Sequence, residues 1–383
     1  MQLSVIILNY NVRYFLELCI DSVIKATKDI DAEIIVVDNN SPDDSCAMVR
    51  ERFPHIKLIE NKENAGFPKG NNIGVASAKG EYICILNPDT VVAEDTFTSI
   101  LKFSEAQANL GIVGCRLIDG RGNFLAESKR GVPTPFVAFT KVTALYKIFP
   151  KVESFNRYYM SSVAEFNLAK AEILVGAFMV MKRSLYLEVG GFDEDCFMYS
   201  DDIDLSYMVM KTGRDNYYFP KTSVIHYKGE STIKDGTYMN RFRDAMNFFY
   251  KKHFKVSATF NAMMKMGSYF FMISKKTKKG KTVSVDEYIL VSEDATLFER
   301  LQTQLKKKVY LRELADLKIS TNHTQYIYDT DSLTYKEILD SMQALKSENS
   351  SFKMAFAKFI IGSNSSDDRG EVMMIDQETT RAI

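Results

Sequence analysis

Residues 80–92 read GEYICILNPDTVV, and this stretch decides the fold class. Its first part, residues 82–86, is an unbroken apolar run that predicts a strand buried on both faces. Pro88 cannot donate to a sheet ladder, so the strand is expected to end before it. Asp89 then projects from the carboxyl end of the strand. Asparagine, proline and aspartate are common turn residues, but a carboxylate at this place can also hold a metal or a ligand.

The 80 residues before this strand alternate between apolar runs and helical patterns. Strands are predicted at 3–8, 33–37 and 56–60, and helices at 13–27, 43–53 and 69–79. Strands without internal alternation, separated by helices, are typical of a parallel sheet covered on both faces. We therefore predict an α/β fold with a mostly parallel central sheet.

Ligands of such sheets bind in the crevice outside the carboxyl ends of the strands. Polar residues follow all four predicted strands: Asn9, Tyr10 and Asn11; Asp38, Asn39 and Asn40; Asn64, Gly66, Lys69, Gly70 and Asn71; and Asn87 and Asp89. Turn formation explains each group singly but is a weaker explanation for all four together. The sequence thus predicts a ligand-binding rim, and Asp89 becomes a functional candidate.

A second candidate region follows a predicted strand at 172–182 and a short predicted helix at 183–189. Residues 190–205 read GGFDEDCFMYSDDIDL, in which six carboxylates are interleaved with large apolar residues. A carboxylate held against apolar surface makes a competent base. The alternative, that Asp201 or Asp202 caps the helix that follows, stays open.

His226 lies in SVIHYKGEST, residues 223–232, a predicted strand that leads into a glycine-containing loop. A lone histidine is more often structural than a ligand. This one is at a strand end and is followed by Lys228, Ser231 and Thr232. That combination suits a diphosphate and its metal.

The composition is that of an ordinary soluble globular protein: 383 residues, 46% hydrophobic and 26% charged. The length suggests two domains, or one large domain with an appendage. Five cysteines without a CxxC pair indicate neither a disulfide framework nor a zinc site, and they fit a reducing cytosol. The N-terminus predicts a strand rather than a signal peptide, and the longest apolar run, 173–181, is too short to span a bilayer.

Taken together, these motifs resemble the family 2 inverting glycosyltransferases, and most nearly their bacterial rhamnosyltransferase-like branch. The resemblance covers about residues 1–254 and is carried by SVIILNYN (4–11), IIVVDNNSPDDS (34–45), ENAGFPKGNNIG (63–74), LNPDT (86–90), VGAFMVMKR (175–183), GGFDEDCFMYSDDIDL (190–205) and HYKGEST (226–232). It implies a GT-A-like nucleotide-sugar-binding domain that transfers one sugar with inversion. The acceptor would be a hydroxyl of a glycan, lipid-linked in the synthesis of surface polysaccharide.

The resemblance also implies roles for individual residues. Asp38 would bind the nucleoside, and the other donor-binding residues would be Tyr10, Asn11, Asn40, Gly66, Lys69, Asn71 and Asn87. Asp89 would meet the metal–diphosphate, with His226 as a further ligand. Asn87 stands where the family often has a first acid, so metal affinity would be lower. The metal is expected to be Mg²⁺ or Mn²⁺.

In the acidic segment, Asp202 would be the general base that takes the proton from the acceptor hydroxyl. Asp201 or Asp204 would tune or position it. The processive members of the family carry a Gln/Arg-x-x-Arg-Trp motif and membrane spans, whereas this sequence contains no tryptophan. A single sugar is therefore expected for each event.

Two other functions remain as alternatives. A sugar nucleotidyltransferase usually needs a glycine-rich basic loop near the N-terminus, which LNYNVRYF (8–15) does not provide. A non-catalytic nucleotide-sugar-binding module would be expected to lack the SDDID carboxylates of residues 200–204. A dehydrogenase is disfavoured because the first turn has no G-x-G-x-x-G.

The predicted domains are a catalytic domain at 1–254, a basic amphipathic connection at 255–281, and a small α/β module of unknown role at 282–383. Residues 251–281 hold nine lysines and no acid, with a phenylalanine and methionine stripe. Such a segment can lie on an anionic membrane surface or pack internally. We expect a cytoplasmic protein, peripheral on the inner face of the membrane if that segment binds lipid, with no nucleic-acid partner.

Overall fold

The computed structural model describes residues 1–142, 145–149, 152–228, 236–254, 285–319, 323–364 and 370–375. In these ranges the chain forms two sheets, one before residue 227 and one after residue 286. Ser231, Thr232 and the predicted connecting segment at 255–281 lie outside the described residues. No helix in the described ranges is long and apolar enough to cross a membrane.

The first sheet contains nine strands. They are β1 (Leu3–Asn9), β2 (Ala32–Asp38), β3 (Lys57–Glu60), β4 (Tyr82–Leu86), β5 (Thr90–Val92), β6 (Leu110–Ile118), β7 (Ala169–Lys170), β8 (Phe178–Lys182) and β9 (Asp215–His226). Their order is β3-β2-β1-β4-β8-β6-β9-β5, with β7 paired to β9. Six strands run in one direction, whereas β5, β7 and β8 run in the other. The predicted α/β fold with a mostly parallel sheet is confirmed.

Helices cover both faces of this sheet. Those of the first 254 residues are α1 (Arg13–Ala26), α2 (Ser45–Arg52), α3 (Gly66–Ala76), α4 (Thr96–Glu105), α5 (Pro135–Val142), α6 (Leu145–Ile148), α7 (Glu153–Asn156), α8 (Arg183–Glu188), α9 (Asp201–Lys211) and α10 (Gly236–His253). Alternate residues of β1 point to opposite faces. Val5 and Ile7 therefore pack with α1, α2 and α4, whereas Ile6 packs with α3, α8 and α9.

The predicted strand at 172–182 is wrong in its first half, because the observed strand β8 begins at Phe178. Ile173 instead forms a two-way backbone pair with Arg130, with N–O distances of 3.0 and 2.9 Å. Residues 174–177 then lead as irregular chain to the start of β8. This departure from strand geometry frees the backbone of Gly176 and Ala177 for contacts at the candidate site.

The second sheet follows the predicted pattern of the C-terminal region. Its strands are β10 (Glu287–Val291), β11 (Lys308–Arg312), β12 (Thr324–Asp329), β13 (Asn349–Lys353), β14 (Phe359–Gly362) and β15 (Glu371–Met374), and its helices are α11 (Ala295–Gln304) and α12 (Tyr335–Ala344). Strands β11-β10-β12-β13 are parallel, and β14 and β15 are added antiparallel. The α/β character of this region is confirmed, and the domain boundaries at 254 and 281 stay predictions.

The two sheets share a hydrophobic core. Phe15 and Leu18 of α1 lie in one buried cluster with Tyr335 of α12 and Phe352 of β13. Within that interface, the Tyr335 hydroxyl donates to Asp21 Oδ2 at 2.7 Å. The C-terminal sheet therefore packs directly on the N-terminal fold.

Candidate active site

Asp38, at the end of β2, lies inside the predicted rim and is 2% exposed. Its Oδ1 accepts hydrogen bonds from Asn9 Nδ2 at 2.7 Å and from the Ser41 hydroxyl at 2.6 Å. Its Oδ2 accepts from the Ser41 backbone N–H at 2.8 Å. The carboxylate thus joins the ends of β1 and β2 and shapes the turn between β2 and α2. Its predicted contact with a nucleoside stays a prediction.

Three other residues that were predicted to bind the sugar donor lie next to this turn. Tyr10 is 39% exposed. Asn11 and Asn40 have φ values of 58° and 60°, the left-handed region that asparagine tolerates better than most residues. The Asn11 N–H donates to the Ser41 hydroxyl at 2.9 Å, which ties the first turn to the second. The rim therefore has a fixed backbone shape and one exposed aromatic side chain.

The donor-binding residues predicted within 64–71 are in large part helical, because α3 begins at Gly66, three residues before the predicted helix at 69–79. Asn64 Oδ1 accepts from the Gly66 N–H at 3.1 Å, and this bond turns the chain into the helix. Lys69 and Asn71 consequently lie in the first turns of α3. Lys69 is directed to solvent, 4.0 Å from Glu63, whereas Asn71 is buried and donates to the Phe67 carbonyl at 2.9 Å.

Gly66 is required for contact between α3 and the acidic segment. It has a φ of 81°, and a Cβ there would come within 2.8 Å of the Phe197 ring. The Phe67 N–H donates to the Phe197 carbonyl at 3.1 Å. The start of α3 and the segment that carries the candidate base are therefore in direct contact.

Asn87, Asp89 and His226 converge where β4 ends and β5 pairs with the end of β9. The pairing of β5 with β9 places Thr90 opposite His226. His226 Nε2 lies 3.6 Å from Asp89 Oδ1 and 3.3 Å from Asn87 Nδ2. The structure thus brings together the two predicted metal-ligating residues and the asparagine that was predicted beside them.

The chemistry of this group fits a divalent cation. Burial lowers the pKa of His226, which keeps the imidazole neutral and able to act as a ligand. Asp89 Oδ1 and His226 Nδ1 are buried and have no hydrogen-bond partner among the described residues. A buried polar atom without a partner is costly. No group of three or more acidic, histidine or cysteine side chains that could hold a metal occurs in the described ranges.

Glu127 and Lys228 form an ion pair next to His226. Burial raises the pKa of Glu127, but the Lys228 ammonium outweighs it and the net pKa is lowered. Lys228 has a φ of 58°, so the chain turns sharply just after β9. Sequence reasoning noted Lys228 but missed Glu127, which lies in a region without a clear pattern.

Asp201 and Asp202 begin α9, whose N-cap is Ser200. Neither aspartate is the capping residue, so the capping alternative is wrong. Asp202 Oδ2 accepts from Arg130 Nη2 at 2.5 Å and from the Gly176 N–H at 3.1 Å. Burial, and secondly the charge of Asp202, raise the pKa of Asp201 to about 7. The two adjacent carboxyl groups therefore have different surroundings.

Asp204 is 1% exposed and contacts α10. Lys252 Nζ lies 2.8 Å from Asp204 Oδ2 and 2.6 Å from Asp193 Oδ2, and His253 Nε2 lies 2.5 Å from Asp204 Oδ1. Asp204 thus anchors α10 to the acidic segment. Lys252, one of the nine lysines of residues 251–281, is held in ion pairs. These nine lysines therefore do not all form a free basic surface.

The two halves of the candidate site meet at residues 176–177. The Gly176 N–H donates to Asp202, and the carbonyl of the next residue, Ala177, accepts from the Asn87 N–H at 3.0 Å. Two successive residues therefore link the candidate base to the end of β4. Arg130, which sequence reasoning missed, completes this arrangement by donating also to the Leu174 carbonyl at 3.1 Å.

Comparison with known proteins relates part of this arrangement to a family. Residues 4–190 match the profile of Glycosyl transferase family 2. The match extends over 187 of the 383 residues. It covers the predicted rim and Asp89, and it ends before Asp201 and His226.

Two curated proteins to which the chain is similar are rhamnosyltransferases. The chain is 25% identical over 213 residues to the N-acetylglucosaminyl-diphospho-decaprenol L-rhamnosyltransferase of Mycobacterium tuberculosis (strain CDC 1551 / Oshkosh), over 53% of this chain and 68% of that protein. It is 27% identical over 177 residues to rhamnosyltransferase WbbL of Escherichia coli (strain K12), over 42% of this chain and 61% of that protein.

Among solved structures, the chain is similar to a mannosyltransferase of Pyrobaculum calidifontis in complex with GDP-Man and Mn²⁺. That likeness has a TM-score of 0.46 and 20% identity, and it covers 71% of this chain and 70% of the other.

Proposed function

We propose that this chain transfers one sugar from a nucleotide-sugar donor to a hydroxyl of a glycan acceptor, with inversion at the anomeric carbon. The observation that carries the proposal is the link through Gly176 and Ala177, which joins Asp202 to Asn87 beside Asp89 and His226. A carboxylate for the acceptor hydroxyl and a ligand set for a diphosphate are thereby held next to each other. The match to glycosyltransferase family 2 supports the reaction type.

On the donor side, Asp89 and His226 would hold Mg²⁺ or Mn²⁺, with Asn87 as a neutral neighbour. When bound, the metal would neutralise the charge that develops on the leaving nucleoside diphosphate. The protein's own contribution is a buried carboxylate oxygen and a neutral imidazole that are already in place. Lys228, paired with Glu127, lies beside His226.

On the acceptor side, Asp202 is the proposed general base. Its Oδ2 is engaged by Arg130 and Gly176, which fixes the carboxylate and leaves Oδ1 outside these two bonds. Arg130 forms an ion pair with Asp202, whereas burial raises the pKa of Asp201 and favours its protonated form. We therefore assign the role of base to Asp202, the carboxylate that Arg130 holds in place. A single displacement with this base inverts the configuration.

The rhamnosyltransferase relatives support an acceptor of the polysaccharide pathway. One of them is named for a diphospho-decaprenol-linked N-acetylglucosamine acceptor. We extend this to the present chain as a lipid-linked or glycan acceptor in surface polysaccharide synthesis, with transfer that is not processive. Tyr10, Asn11, Asn40, Gly66, Lys69 and Asn71 would line the donor pocket around Asp38.

The test is the release of free nucleoside diphosphate from a panel of nucleotide sugars, with and without lipid-linked glycan extracts. A glycosyltransferase releases it from one donor in an acceptor-dependent way. A sugar nucleotidyltransferase would instead release pyrophosphate from a nucleoside triphosphate and a sugar phosphate. A non-catalytic module would bind a donor without turnover. Either of the last two results would overturn the proposal.

A further inference from the structure

The C-terminal region contacts the N-terminal fold at the strand that follows Asp89. This strand, β5, is three residues long and lies at the end of the strand order, next to β9. Its middle residue, Val91, is fully buried in one cluster with Leu339 of α12. Helix α12 is in contact with both β5 and β9. The short strand that positions Asp89 is therefore covered by residues of the C-terminal region.

The C-terminal region packs on one particular face of this strand pair. Side chains two positions apart along a strand lie on the same face. Ile225, which pairs with Val91, and Tyr227 both belong to the cluster shared with the C-terminal region. His226 comes between them in sequence and therefore points to the opposite face. The Tyr227 N–H donates to the Asp89 carbonyl at 3.0 Å, so the pairing of the two chains reaches Asp89 itself.

Glu94 ties the start of α12 to the chain just after β5. Its Oε1 accepts from the Tyr335 N–H and its Oε2 from the Lys336 N–H, both at 2.8 Å. These are the first two residues of α12, whose N–H groups have no acceptor within the helix. Glu94 is therefore a helix cap that the N-terminal fold supplies. Glu337 caps the same helix from within, since its Oε2 accepts from the Thr334 N–H at 2.9 Å.

The other end of α12 is held by the turn that follows β6. Gly122 has a φ of 73°, and a Cβ there would clash with the Met342 carbonyl of α12. The Ser347 N–H, just beyond the helix, donates to the Arg121 carbonyl at 2.9 Å. Helix α12 thus has contacts with the N-terminal fold at both ends, and its position against β5 is fixed.

We propose that α12 is a positioning element of the candidate metal site, with Glu94 and Leu339 as the residues that act through β5 on Asp89. The helix holds β5 in the place where Asp89 Oδ1 lies 3.6 Å from His226 Nε2. Because these two side chains come from different strands, a shift of β5 changes their separation. The inference rests on the proposed function, in which Asp89 and His226 hold a divalent cation.

Binding of Mn²⁺ alone, measured by the loss of the free-ion electron paramagnetic resonance signal, tests this role without sugar transfer. The part of the binding that Asp89→Asn removes defines the site. Glu94→Ala should weaken binding at this site about tenfold, the effect expected of a residue that supports a metal ligand. Glu337→Ala is the matched control, because it removes a cap of the same helix that does not reach β5. It should bind Mn²⁺ like wild type.

Hydrogen–deuterium exchange without metal supplies the second measurement. Leu339→Ala and Leu301→Ala both truncate a buried leucine of the C-terminal region, but Leu301 belongs to a cluster of C-terminal residues alone. L339A and E94A should exchange faster than wild type at residues 89–92 and 224–227, because the cover or the anchor of these strands is reduced. L301A should exchange faster within the C-terminal region alone.

Two results would overturn this inference and leave the proposed function standing. One is exchange at residues 89–92 that is unchanged in both L339A and E94A. The other is wild-type Mn²⁺ binding that E94A leaves unchanged, or that E94A and E337A weaken equally. The absence of Mn²⁺ binding at Asp89 in wild type would instead refute the proposed metal site, and this inference with it.

Discussion

Both sheets of this molecule carry polar residues at the carboxyl ends of their parallel strands. The two sets differ in how completely their polar atoms are hydrogen-bonded. At the C-terminal sheet, Asp329 is the last residue of β12, and its Oδ2 accepts from the hydroxyls of Ser292 at 2.6 Å and Ser332 at 2.8 Å. At the N-terminal sheet, Asp89 Oδ1 and His226 Nδ1 have no hydrogen-bond partner among the described residues. An aspartate at a strand end is therefore not by itself a site. The unsatisfied buried atom is what distinguishes the rim of the candidate site.

The largest effect is expected for the proposed base. Asp202→Asn keeps the shape of the side chain but removes its basicity, so turnover should fall by about 10²–10⁴ while donor binding is nearly unchanged. Asp195→Asn is the matched control, because Asp195 is an exposed aspartate of the same segment. Turnover is measured as acceptor-dependent release of nucleoside diphosphate. Near wild-type turnover by D202N would shift the role to Asp201.

The comparison of the two rims is tested by making the same substitution in both. Asp89→Asn should lower activity by about 10–100-fold and raise the Mg²⁺ or Mn²⁺ concentration needed for half-maximal activity, because a candidate metal ligand is weakened. Asp329→Asn should leave activity and metal dependence unchanged. Full activity of wild type in excess chelator, or an equal loss of activity in the two variants, would contradict the distinction between the rims.

Asp38 is an intermediate case. It lies in the same N-terminal rim as the candidate site, but its carboxylate is hydrogen-bonded within the protein, as that of Asp329 is. Asp38→Ala removes a buried carboxylate on which three hydrogen bonds end. We expect a loss of about 1–3 kcal/mol in the free energy of unfolding, besides weaker nucleotide binding by calorimetry. Unchanged nucleotide affinity would make Asp38 a purely structural residue.

The repeating part of the fold was predictable because its signals are local. Apolar strands and helical spacing in residues 1–90 specified four parallel strands, and the polar residues after β4 identified Asn87 and Asp89 before any contact was known. His226 was found in the same way, as a polar residue at a strand end. Pairing of β5 with β9 then brought it next to Asp89, a contact that no local pattern encodes.

The site residues that the sequence analysis did not identify lie in a segment without helical or strand periodicity. Arg130 and Glu127 come from the segment between β6 and β8, which is built from short helices and irregular chain. Arg130 reaches Asp202 across 72 positions of sequence, and Lys228 reaches Glu127 across 101. A conspicuous basic pair, Lys129 and Arg130, was the only local signal. Partners of this kind are set by tertiary packing, so composition and spacing alone do not identify them.

The smallest predicted effect concerns Asp201 and depends on pH. Its folded-state pKa is raised, from an ordinary value of 3.8 to about 7, chiefly by burial. Between these two values the folded chain binds more protons at this site than the unfolded chain does. This carboxyl group therefore makes the free energy of unfolding fall as the pH rises through that window. An asparagine has no proton to lose, so Asp201→Asn removes this contribution.

Urea unfolding of wild type and Asp201→Asn at pH 4 and pH 8 measures the difference. The stability of the variant relative to wild type should be greater at pH 8 than at pH 4, by on the order of 1 kcal/mol. Comparing the two pH values cancels the free-energy loss from any hydrogen bonds that the substitution removes at both. Asp195→Asn, at an exposed position, should show no such change between the two pH values. A relative stability of D201N that is equal at both pH values, or smaller at pH 8, would show that burial does not keep Asp201 protonated. Asp201 and Asp202 would then be equivalent carboxylates, and the division of roles between them would be lost.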